Sequence, residues 1–529
     1  MSSNQKSSRL GPAASAGRRI QVAGVVIAAL VIGVGYGYAK PAASSAASAS
    51  KSAAQSTTTP ISSATVVCPL VKDSSSTNIS TFTPGTVSVS GSSGESVGQL
   101  QGSNSLLTAG KAGTLSTASG VSGGSEAAED VNNPVIATAT GADAAGFTVT
   151  ETMPSGSNSN TRGLASQNCG SPDTDMWFVG LGTDSSAYAM LNMVNADNQS
   201  ASVSITMYTA GGQLAQGEEA TSLQGITISP KSQKSELVNT LDTQKQGAPY
   251  AIHVVASSGR IAASVLDWDG NGGGRDFVDS QKSATMLVFP GIPQSENNEK
   301  VQLTVLSPTA GAAVALRWVG HSTIQPAVGG SSFSGNLVQG KTATVDLSSV
   351  PQSGEFAALE VCGANSASNQ CLPVAGGSGG AIPLVGEVKV SQSDNGGQDT
   401  AYISPVLPLS GDGIVADNTS NSVVTLTNNG SSAAQVKLTE TGSGNNPASA
   451  RATVSVPAGQ TVNAPLAEPK GASGDFALMV TPLNGAQHVY AARIYATGSN
   501  LSIQTLTTAA ETVTVPAVGQ DSSGLVPQN

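Results

Sequence analysis

The chain is poor in charge, in aromatic rings, and in cysteine and histidine. Asp, Glu, Lys and Arg make up 11% of its 529 residues, against about 25% in an ordinary soluble domain. With 23 basic and 34 acidic residues the net charge is −11. No basic stripe is left to neutralise phosphates, which excludes a nucleic-acid partner. Three histidines and four cysteines are little material for a haem or multinuclear metal site. Three tryptophans do not build the aromatic groove in which a glycosidase sets its carboxylate pair. Glycine is plentiful, at 61 residues, beside abundant Ser, Thr and Ala. The length suggests roughly three or four domains.

One apolar run stands out. Lys6, Arg9, Arg18 and Arg19 mark residues 1–19 as a basic cytoplasmic tail, and residues 20–39 carry no charge. Twenty helical residues span about 30 Å, the hydrocarbon thickness of a bilayer. The basic flank stays inside and the remainder emerges outside. The run is longer than a usual signal-peptide core, which favours an uncleaved transmembrane signal anchor; a signal peptide cut near Gly37-Tyr38-Ala39 is the alternative. Residues 40–64, rich in Ser and Ala, lack apolar periodicity and read as a disordered stalk.

Outside the cytoplasm, Cys68, Cys169, Cys362 and Cys371 point to two disulfides, with three connectivities open. The nearness of Cys362 to Cys371 suits a local clip. That leaves Cys68 for Cys169. No CxxC and no Cys beside a His suggests a metal or a reactive thiol.

The rest reads as all-β. Short runs alternate apolar with polar residues, as in Val203–Met207 and Tyr250–Val254, bounded by Gly, Asn, Asp, Ser and Pro. Period two gives one buried and one wet face. The wet faces use Ser and Thr in place of charge. Segments 189–208, 225–241 and 248–266 recur in the same order at 423–441, 452–466 and 474–495, with a weaker copy in 301–363. The expected fold is tandem immunoglobulin-like antiparallel β-sandwiches after one N-terminal transmembrane helix. The repeats fall at 171–285, 286–400 and 401–515. Residues 65–170 form a partial β-domain with a Gly/Ser-rich excursion, and 516–529 a disordered tail.

The catalytic motifs are weak. Residues 120–124 and 376–380 both fit G-x-S-x-G, but within Gly/Ser-rich loops. Ser48 to Lys51 fits S-x-x-K inside the stalk, and Leu372–Gly376 imitates an internal sortase signal. His253, His321 and His488 fall in different repeats. Asp267/Asp269 and Asp276/Asp279 are the candidate carboxylate pairs. The loop opened by Asp267-Trp-Asp269-Gly-Asn271-Gly spaces oxygens like the start of a calcium loop. It lacks the closing Glu, position 12 being Val278. If calcium binds, Asp267, Asp269, Asn271 and Asp276 are its ligands; an acid-rich turn is the plain alternative. No cofactor is otherwise implied.

Several landmarks run in order: Val67-Cys68-Pro69, then Cys169 followed by Trp177-Phe178-Val179-Gly180, then Asp276-Phe-Val278 leading to Val288-Phe-Pro290-Gly291-Ile-Pro293. Over residues 60–510 this pattern resembles a family of actinobacterial envelope proteins, secreted or membrane-anchored, catalogued as a domain of unknown function. The resemblance implies an extracytoplasmic place and supplies no catalytic residue; the Cys362–Cys371 clip is not part of it. The expectation is a single-pass, non-enzymatic envelope protein with an outward ectodomain. It would be a scaffold or binding module for an unidentified envelope protein or glycan, accessory to glycan assembly. A carbohydrate-active hydrolase and a surface adhesin are the alternatives.

Overall fold

A computed structural model describes residues 57–515 except 70–76, 85–93, 100–121, 125–132, 157–160, 184–185, 215–222, 244–246, 271–272, 294–299, 321–323, 327–334, 348–355, 364–381, 395–396, 443–448, 471–474 and 485–486. The expected anchor and C-terminal tail lie outside the described residues, as does the expected stalk up to residue 56; residues 57–64, expected as its disordered end, instead form strand Thr57–Pro60 and the start of strand Ser63–Cys68. Among the described residues no helix is long and apolar enough to cross a membrane.

The described chain is built of antiparallel strands. Eight sheets pair into four sandwiches, at 63–168, 175–278, 286–403 and 413–505. The second shows the plan. Its seven main strands are Asp175–Leu181, Tyr188–Asn195, Ala201–Thr209, Ser232–Leu237, Tyr250–Ser258, Ala262–Trp268 and Arg275–Val278. The first, fifth and third strands form one sheet; the fourth, second, sixth and seventh form the other. All four sandwiches share this order. The segment expected to be a partial β-domain is therefore a complete fourth copy, with seventh strand Ala165–Asn168.

The order is not that of an immunoglobulin domain, whose first two strands share a sheet. Here the seven shared strands change sheet at every step from the first to the sixth, and the sixth and seventh form a hairpin within one sheet; additional strands, such as Ser449–Val456 in the fourth sandwich, pair with the third strand. Each sandwich fills its centre from both sheets. In the second, Phe178, Val203 and Ile252 of one face Leu191 and Val265 of the other. The Asn-rich turns of the repeat have a physical role. Asn195 and Asn428 end equivalent second strands, and each donates its amide to two carbonyls, Gln199 and Ile228 or Ser432 and Val456. Each also accepts the N–H two residues on.

The sandwiches pack head to tail. The first sheet of each lies on the outer face of the second sheet of the next. Val67 and Ile136 meet Val194 and Ala262. Val179 and Ala251 meet Leu306 and Val385. Val288 and Ala358 meet Tyr490. Ile414 and Ala416 of the fourth meet Phe82 of the first. A heterologous contact whose rotation closes makes a ring, and here four copies in one chain close it. The landmark motifs sit in these joints. At Gly180 (φ +77°) a Cβ would crowd Glu387 Cβ at 3.1 Å, and at Gly291 (φ +87°) it would clash with Ala492 Cβ at 2.9 Å. A two-stranded ribbon of Thr57–Pro60 and Thr512–Val515 joins the two ends of the ring.

The ring corrects one expectation about charge. The Ser/Thr faces are not all wet, because many lie under the neighbouring sandwich. Thr150, Thr427, Thr461 and Ser502 are buried. The Thr150 hydroxyl accepts the Ala416 N–H at 2.9 Å, and Thr461 donates to the Val319 carbonyl at 2.7 Å.

Candidate functional site

The four seventh strands, Ala165–Asn168, Arg275–Val278, Gly397–Ile403 and Asn500–Thr505, converge where the sandwiches meet. Several of their polar side chains, among them Ser166, Asp276, Asp399 and Ser502, are buried and shared between sandwiches. Asp276 accepts from its neighbour Phe277 N–H at 2.9 Å, from Ser166 N–H of the first sandwich at 3.2 Å, and from the Ser502 hydroxyl of the fourth at 3.2 Å. Asp399 accepts from Thr400, Leu164 and Leu501 N–H, joining the third sandwich to the first and fourth. Arg493 donates to the Ser166 hydroxyl at 2.7 Å and to Gln504 at 2.6 Å. Burial disfavours every charge here. It raises the Asp276 carboxyl well above the usual range and pushes Asp399 up to about 7. The same loss of water lowers the Arg275 guanidinium to about 10.

Asp276 is thus a joint of the ring. Asp267, its cross-strand neighbour in the sixth strand, points elsewhere. It is buried, accepts the Gly182 N–H and the Tyr402 hydroxyl, both at 2.7 Å, and burial pushes it up to about 7. Asp269 is held by Lys389, whose Nζ lies 3.0 Å away and also bonds the Thr183 hydroxyl. The Thr400 hydroxyl donates to the Gly273 carbonyl at 2.8 Å and lies 3.1 Å from Asp269. Asn271 lies outside the described residues. Asp267, Asp269 and Asp276 do not gather into one set of oxygens, and the ammonium of Lys389 is the cation beside Asp269. Among the described residues only Cys68, Glu151 and Cys169 cluster as metal ligands do, and the two sulfurs are bonded to each other.

Thr183, Asp269, Gly273 and Lys389 border a cleft of about 490 Å³ between the second and third sandwiches. One wall is the outer face of the third sandwich's second sheet. Register places Lys300 beside Ser391 and Thr400 in one cross-strand row, and Gln302 beside Lys389 and Tyr402 in the next. Period two sends Val301, Leu303, Val388 and Val390 to the opposite, core-facing side. Asp279 lies instead beside a second cavity, of about 280 Å³, bounded by the first, second and fourth sandwiches and by Ser404–Val406, which follow the third. Its surroundings push the carboxyl up to about 7.

Cys68 is joined to Cys169 across 101 residues. Cys362 is disulfide-bonded, while Cys371 lies outside the described residues. His253 stacks on Trp177 at 4.1 Å and bonds Asp175 at 3.1 Å. His488 is in the fourth sandwich, and His321 lies outside the described residues. Residues 376–380, the Leu372–Gly376 run and Ser48–Lys51 are likewise outside, while Ser122 is in the fourth strand of the first sandwich. The lysine-bearing wall went unread in the sequence. Its signal is the polar set Lys300, Gln302, Lys389, Ser391 and Ser393 at alternate positions of two paired strands.

No curated protein and no solved structure matches the chain. A family model does, over residues 118–467, a narrower span than the landmark pattern. It covers more than half of the sequence and takes in the second and third sandwiches with the cleft between them. The chain belongs to the family of unknown function DUF5719.

Proposed function

We propose that the chain is a membrane-anchored, extracytoplasmic protein of an actinobacterial cell envelope. Residues 20–39 are its anchor, and it acts as a non-enzymatic scaffold or binding module, accessory to glycan assembly. The observation that carries this reading is the use made of the buried charge. Asp276, Asp399 and Arg493 bond across sandwich boundaries, so these buried titratable groups go into holding four modules as one body. A rigid platform suits a protein that displays surfaces to partners. The Cys68–Cys169 bond supports an oxidising compartment.

Crosslinking in intact cells, followed by capture from solubilised membranes, tests the reading. An envelope protein or polysaccharide is expected on the bait. Capture of neither, or recovery of the chain in the soluble cytoplasmic fraction, counts against it.

A carbohydrate-active hydrolase is the second reading, because a buried carboxyl at about 7 beside another carboxylate, as at Asp267 and Asp269, is also how a general acid is prepared. Changing both to Asn and comparing envelope glycans separates the two. An unchanged profile removes the hydrolase reading.

A further inference from the structure

We infer that the cleft between the second and third sandwiches binds an acidic glycan. The inference rests on the binding-module reading and names its ligand class. Three observations lead to it. Every side chain on the cleft wall is polar, with glycine filling the remainder, so an apolar ligand has nothing to bury against. No aromatic ring lines the cleft, since Tyr402 of the same sheet face is buried and bonded to Asp267, which leaves no platform for stacking nucleobases or the faces of neutral sugars.

The second observation is order. Lys300 and Gln302 on one strand, Lys389, Ser391 and Ser393 on the next, and Gln398 on the third share one sheet face. Neighbouring strands lie about 4.8 Å apart, and alternate residues about 7 Å along each strand. A flat grid of amides and hydroxyls at that spacing can exchange hydrogen bonds with a row of sugar hydroxyls. Gln302, Ser391 and Gln392 are half-buried, and Ser393 and Gln398 are exposed.

The third observation is charge. A chain of net charge −11 places two lysines on this wall. Lys389 is paired with Asp269, and the buried Asp399, turned onto three backbone N–H groups, is pushed up to about 7 by burial, which leaves it only partly charged at neutral pH. Lys300 is exposed and makes no ion pair among the described residues. The cleft therefore offers a local positive charge to a carboxylate or phosphate carried on a polyhydroxylated chain.

Calorimetric titration of the full chain in detergent tests this, with oligogalacturonate as acidic probe, dextran oligosaccharide as neutral probe and inorganic polyphosphate as a sugar-free anion. Oligogalacturonate is expected to bind. The Lys300→Glu, Gln398→Ala double variant should weaken it by about tenfold or more, the scale of one charge-assisted hydrogen bond. Both positions are exposed, so the melting temperature should stay unchanged. No heat with oligogalacturonate overturns the inference. So does binding that the double variant leaves intact, equal affinity for dextran, or equal affinity for polyphosphate. If the cleft fails while crosslinking still captures an envelope protein, the scaffold reading stands without this site.

Discussion

The Asp276 carboxyl of the second sandwich accepts the Ser502 hydroxyl of the fourth at 3.2 Å, although 226 residues separate them. The same oxygen takes the Ser166 N–H of the first sandwich. A buried donor deprived of its acceptor costs about 1–3 kcal/mol. Asp276→Ala strands several at once and should destabilise the ring by about 3 kcal/mol or more in urea unfolding. Asp276→Asn keeps a carbonyl oxygen in place and resembles the neutral carboxyl that burial favours, so its cost should stay near 1 kcal/mol. Equal losses for the two variants would mean the native group is charged.

Gly274 should tolerate no side chain. Its φ is +90°, and a Cβ would lie 2.2 Å from Asp399 Oδ1 and 2.8 Å from Asp399 Cα. Gly274→Ala combines a disfavoured backbone with overpacking and should cost about 2 kcal/mol or more. Gly498 also has positive φ, +63°, but has nothing within 4 Å. Gly498→Ala should cost less, and comparing the two midpoints isolates the contact.

Replacing Cys68 and Cys169 with Ser releases a cross-link spanning 101 residues. The chain-entropy model assigns such a loop about 4.7 kcal/mol, so a loss of about 3–5 kcal/mol is expected from denaturant melts. The buried Cys68 seals the core of the first sandwich, and that sandwich should show the earliest amide exchange in the variant.

Stability should fall as pH rises through neutrality. Burial holds Asp267, Asp399 and Glu151 at about 7, whereas in the unfolded chain they titrate near 4. Between about pH 4 and 7 the folded state binds more protons than the unfolded one, so unfolding free energy decreases with rising pH. This contribution is complete below about 4 and lost above 7. Melting temperatures from pH 5 to 8 should decline; a rise across that interval would place the three groups as charged and paired.

Strand content was legible in the sequence wherever one face of a strand stays polar. Ala201–Thr209 alternates buried and half-buried residues, and period two exposes it at once. It fades where both faces are covered. Asp175–Leu181 is buried at six of its seven positions because Trp177 and Val179 meet the third sandwich while Phe178 enters its own core. The first sandwich escaped notice as a copy for that reason, and because residues 100–121 intervene between its third and fourth strands. Asp276 shows the same limit at the site. Beside Asp267 and Asp269 in sequence it suggests a cation loop, and only the closure of the ring shows that its partners are Ser166 and Ser502.

The ribbon of Thr57–Pro60 with Thr512–Val515, locked by the Ile61 N–H to the Glu511 carbonyl at 2.9 Å, makes the order of the sandwiches cyclic in space. A circularly permuted gene that opened between the first and second sandwiches, with Val515 joined to Thr57 by a short linker, would encode the same ring.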